Sequence, residues 1–378
     1  MLPRPSSLGW SDTPGVCAMK LRVSSLLLCG VLSLSAGCQP EEADAPALKS
    51  QTEALSDGVG SWAPTAPKAN GNFTTCAAVL SGTGEVLNAY SGSVQSYDPY
   101  SNTWRVVASQ CTPGACASVS LTELASRQVL AEVLYPSRSG GTSYLKIYDP
   151  ATDQWTSSLA PSKRNQTVTP LDSGKVLIAG GYNYMSATLS FNGAEEYDAA
   201  TDTYTFMGNM LTGRAEHTAT RLYSGQVLVT GGYADSGRLA SAELYDPATK
   251  TWTSAGSMSR ARAQHRAIRL FSGNVMVMGG TLSTTDTSVE MYDPYNAAWF
   301  AGPALPITQP TSATLLYSGE VLVTNNAGQA AIYSPSQNAW LPAASATSAN
   351  SPGASVLLQT GQVMRLNGSS ATADVFSR

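Results

Sequence analysis

Short runs of β-branched and aromatic residues, broken by glycine, proline and aspartate, succeed one another along most of the chain, and hardly any segment has helical periodicity. The stretch after Glu216 shows the pattern most clearly: HTATRLYS, QVLVTGG, SAELYDP and TWTSAG are four runs set apart by Ser-Gly, Gly-Gly and Asp-Pro. Each run has the length and composition of a strand, and each separator is turn chemistry. Aspartate accepts backbone hydrogen bonds at the first turn position, and proline fixes φ at the second. Glycine in the Ser-Gly turn allows the positive φ that closes a hairpin. The pattern predicts four antiparallel strands per unit.

The unit recurs. YDPATKTW at Tyr245 returns as YDPYSNTW at Tyr97, YDPATDQW at Tyr148 and YDPYNAAW at Tyr292, with weaker copies at Tyr197 and Tyr333. In all six a second aromatic follows the first by seven residues, at Trp104, Trp155, Tyr204, Trp252, Trp299 and Trp340. A Ser-Gly-x-Val marker at Ser173, Ser224, Ser272 and Ser318, with looser forms at Thr83, Ser126 and Thr360, makes seven units. One such sheet cannot bury both faces alone, whereas seven stacked radially can. The expectation is an all-β, seven-bladed β-propeller of four-stranded blades. Trp62 has no aromatic seven residues before it, and the last unit stops two residues after Phe376, which holds the tyrosine position. These complementary defects predict that the segment around Trp62 supplies the outermost strand of the seventh blade, so that N- and C-terminal strands pair and close the ring.

The glycine pairs Gly180-Gly181, Gly231-Gly232 and Gly279-Gly280, the Tyr-Asp-Pro after the third strand and the tryptophan in the fourth resemble the kelch repeat, over roughly residues 61–378. The sixth unit has Asn325-Asn326 instead, and the first, second and seventh lack the pair. The architecture resembles the central domain of galactose oxidase. Arg214-Ala-Glu-His217 and Arg262-Ala-Gln-His265 place both histidines of the chain at one repeat position, eight residues before the Ser-Gly glycine, where the third unit has Gln166. The resemblance implies that this position opens the innermost strand, near the central channel. Two interpretations stand. The histidines and arginines tie adjacent blades together through loop carbonyls, or Lys163, Arg164, Gln166, Arg214, His217, Arg262 and His265, with Tyr182 and Tyr233 after the glycine turns, line a ligand pocket at the channel mouth. Guanidinium groups there suit carboxylates or other anions, and concave mouths are favoured ligand sites. Copper radical oxidases resembling galactose oxidase need two histidine and two tyrosine ligands. Here neither histidine follows a tyrosine directly, and no catalytic residue, metal ligand or cofactor is expected.

Charged residues make up only 13% of the 378, and the net charge is −4, so nucleic acid is not an expected partner. Lys20 and Arg22, the apolar stretch after them and the small residues before Cys38 read as an export signal. Leu34-Ser35-Ala36-Gly37-Cys38 resembles the lipobox of bacterial lipoproteins, in which the cysteine is lipidated. This divides the chain into a doubtful extension (1–18), a signal (19–37), a flexible tether (38–60) and the propeller (61–378). Of the remaining cysteines, Cys76 with Cys116 is the first choice for a disulfide, and Cys111 with Cys116 the local alternative. The functional expectation is a monomeric interaction module without catalysis, held to the bacterial envelope, outer membrane by preference, and binding an envelope protein or glycan. The rival is an exported carbohydrate-active enzyme resembling sialic-acid mutarotases or, further off, copper oxidases.

Overall fold

A computed structural model describes residues 59–378 apart from 69–75, 80–82, 91–92, 110–116, 136–141, 164, 184–185, 347–353 and 367–371. The expected signal, Cys38 and nearly all of the tether lie outside the described residues, as do Cys111, Cys116 and Arg164.

Seven four-stranded antiparallel sheets follow one another along the chain. Their innermost strands are Cys76–Val79, Ala117–Glu123, Thr167–Pro170, Thr218–Arg221, Arg266–Arg269, Pro310–Leu315 and Ser355–Leu357. Each innermost strand packs on the next, and the seventh packs back on the first, so the ring is closed. Second strands such as Val227–Thr230 and Val275–Met278 are buried along their whole length, because a blade covers each face. Between the fourth and fifth blades, for example, Leu222, Leu228, Val275, Val277 and Tyr292 form one apolar layer.

Closure occurs as the sequence predicts. Ser61–Pro64 pairs with Asp374–Ser377, with Trp62 directly opposite Phe376. The seven-residue spacing has the same cause in the first six blades: the hairpin between the third and fourth strands brings the two aromatics into register, as in Tyr245 opposite Trp252 and Tyr292 opposite Trp299. Ring centroids in these pairs lie 4.6–5.4 Å apart. Five indoles also donate to a carbonyl of the preceding blade or of the chain leaving it: Trp104 to Ala66, Trp155 to Ala108, Trp299 to Ala255, Trp340 to Pro303 and Trp62 to Ala344. The bonds of Trp62 and Trp104 carry this outer tie across the junction between the chain ends.

The turns add a feature that sequence reasoning overlooked. The fifth residue after the repeat tyrosine has positive φ in six blades: Asn102, Asp153, Asp202, Lys250, Ala297 and Asn338. Where it is Asn or Asp, its side-chain oxygen accepts the tyrosine hydroxyl at 2.8–3.1 Å. Lys250 and Ala297 cannot accept, and the buried hydroxyls of Tyr245 and Tyr292 have no partner. Two small ribbons, Tyr182–Asn183 with Ser186–Ser190 and Tyr233–Ala234 with Gly237–Arg238, follow the glycine pairs of the third and fourth blades and were likewise not anticipated.

Candidate ligand cavity at the channel mouth

Each glycine pair is a socket for the next blade. The N–H of Gly181 donates to the Arg214 carbonyl at 2.9 Å, and that of Gly232 to the Arg262 carbonyl at 2.7 Å. A Cβ on Gly231 would stand 2.4 Å from the Arg262 oxygen and 2.9 Å from His265 Cε1, and Gly180 is equally close to Arg214 and His217. Gly279 meets Pro310 instead, in the blade that lacks the Arg-x-x-His sequence. Glycine pair and Arg-x-x-His are therefore two halves of one junction.

Both arginine side chains are wholly buried within their own blade. Arg214 donates from Nη1 to the Gly231 carbonyl at 2.7 Å and from Nη2 to Glu243 at 2.5 Å. Arg262 repeats this with the Gly279 carbonyl at 2.8 Å, the Ser288 hydroxyl at 2.6 Å and Glu290 at 3.1 Å. The glutamates in turn accept backbone N–H groups, Glu243 from Leu211 and Thr212, Glu290 from Ser259. These guanidiniums serve the loop before the innermost strand.

The histidines bridge blades. Nε2 of His217 lies 2.9 Å from the Thr167 hydroxyl of the third blade. Nε2 of His265 lies 2.9 Å from Thr218 and 2.8 Å from Thr230, both of the fourth. Burial first, then the positive charge of Arg214 and Arg262 respectively, holds both imidazoles down to about 3, so both are neutral at any ordinary pH.

Above these junctions lies a cavity of about 580 Å³, walled by the third to sixth blades. Of the expected residues, Gln166, His217 and His265 line it, whereas Arg214 and Arg262 stand behind its wall. Lys163 rests over the Phe191 ring at 5.0 Å, away from the lining. Tyr182 and Tyr233 belong to the ribbons and do not line the cavity. Two lining arginines went unnoticed in the sequence. Arg266 stands at the repeat position held by Thr167, Thr218 and Ser312 in neighbouring blades, opposite Met278 where they face Ala179, Thr230 and Thr324. That departure from a small hydroxyl residue was the available signal. Arg238 comes from the fourth-blade ribbon and had none.

Residues 217–259, most of the fourth blade, match the Kelch motif. This chain is a seven-bladed β-propeller whose fourth blade carries a Kelch motif. No curated protein matches it. A solved structure described as a novel fungal alcohol oxidase with catalytic diversity among the AA5 family, in complex with copper, matches with a TM-score of 0.65 and 14% identity. The match covers 84% of this chain and 76% of that one. At this identity the likeness is one of fold. The donors of this propeller do not fit a copper centre: both histidines are turned to threonine hydroxyls, and among the described residues no group of three or more His, Cys, Asp or Glu could hold a metal ion.

Proposed function

We propose that this Kelch propeller is a non-catalytic binding module of the bacterial envelope, anchored through Cys38, whose protein or glycan ligand enters the mouth cavity. The cavity carries the proposal: four consecutive blades contribute amides, hydroxyls and guanidiniums to one polar concavity. The neutral, threonine-bound histidines support a structural rather than an acid–base role. The second reading is an exported carbohydrate-active enzyme, to which the AA5 neighbour lends a likeness of fold.

The test uses the full-length chain. Thr284→Trp, at an exposed position on the cavity wall, should abolish saturable binding to envelope extract without altering the fold. Unchanged binding would remove the cavity as the site. Replacement of Cys38 by Ser should release the protein from membranes, and persistence there would refute the anchor. Copper-dependent turnover of an alcohol would favour the enzymatic reading.

A further inference from the structure

Resting on the binding role above, we infer that the mouth cavity takes an organic carboxylate carrying hydroxyl groups, with Arg266 and Arg238 holding the carboxylate. The two guanidiniums differ from Arg214 and Arg262 in one respect. Among the described residues neither has a carboxylate within 4.0 Å, whereas both buried arginines are paired with glutamate. Arg266 makes one hydrogen bond there, from Nε to the Thr311 carbonyl at 2.6 Å, leaving its amino nitrogens for a ligand. Burial depresses its pKa with no acid opposing the shift. Arg238 donates from Nη1 to the Gly280 carbonyl at 2.9 Å, while its Nε is buried without an acceptor.

The wall has surplus donors. Gln166, whose carbonyl accepts the Lys163 N–H at 3.2 Å, has a buried Nε2 with no acceptor. The two acids on the wall are spoken for. Glu216 accepts from Asn165 Nδ2 at 3.2 Å, and Asp286 accepts the N–H and hydroxyl of Ser288, both at 3.0 Å, with Arg262 at 3.7 Å behind it. A desolvated cation without a counter-ion is costly. A carboxylate supplies both the missing charge and up to four acceptor sites. Thr281, Ser283, Thr284 and Asn326 on the same wall suit hydroxyl groups of the ligand. The assignment falls on Arg266 because the fifth blade alone, among the third to sixth, places a cation at that innermost-strand position.

Glucuronate and glucose, equal in ring and differing in the carboxylate, are the probes, titrated into the full-length protein by calorimetry and ligand-observed NMR. Glucuronate should bind at least tenfold more tightly than glucose, weaken as salt rises from 50 to 300 mM, and lose at least tenfold in affinity in Arg266→Gln. Near-UV circular dichroism checks the variant's fold, and if it does not fold, the probe comparison on the unaltered protein still decides. Equal affinity for the two probes, or unchanged affinity in folded Arg266→Gln, overturns the inference. Binding of neither probe overturns it too, while envelope binding blocked by Thr284→Trp would still uphold the broader proposal.

Discussion

Acid should weaken this propeller through its two histidines. His217 and His265 are buried and held down to about 3, against 6.5 in an unfolded chain. Above pH 6.5 neither state carries the proton, and stability is at its full value. Below it only the unfolded chain is protonated, so stability falls by about 1.4 kcal/mol per pH unit per histidine until the folded value near 3 is reached. From pH 7 to pH 5 the loss is about 2 kcal/mol for each and about 4 kcal/mol for the pair. Urea unfolding at the two pH values measures the effect. His217→Gln and His265→Gln should each be less stable than the parent at pH 7, having lost a threonine contact, yet lose about 2 kcal/mol less on acidification. Single variants that lose as much as the parent between pH 7 and 5 would show that the histidines are protonated or solvated in the fold.

Gly231→Ala combines a φ of +57° with a Cβ 2.4 Å from the Arg262 oxygen, so it should cost about 3 kcal/mol or more in thermal unfolding, and a cost below about 1 would refute the socket. Ala297→Asn supplies an acceptor for the Tyr292 hydroxyl at a φ of +50° that asparagine tolerates, and it should stabilise by about 1 kcal/mol, seen as a Tm rise of about 2 °C. Trp62→Ala removes the Phe376 contact and the bond to Ala344, so it should lower stability by about 3–5 kcal/mol; an unaffected urea midpoint would mean the ring does not depend on its closing strand.

The junction was half legible. Its glycine pairs and its Arg-x-x-His segments both stand out in the sequence, but nothing along the chain says that Gly231 receives Arg262, because the two meet only when blades stack. The same holds for the arginines. Arg214 and Arg262 were marked by repetition, and repetition selected them for the part of the junction that repeats. Arg266, a departure from the pattern, reaches the cavity.

Sequence alone determined the blade count and the strand plan, because both follow from hairpin geometry acting over a few residues and repeated at fixed spacing, and the complementary defects at the two ends of that series determined the pairing of Trp62 with Phe376. Only the tertiary structure decided which cations are consumed by glutamates and which face open space. Charge pairing depends on groups that lie far apart along the chain, such as Arg214 and Glu243 or Arg262 and Glu290, and a guanidinium's chemistry is set by what stands within a few ångströms of it rather than by its sequence neighbours.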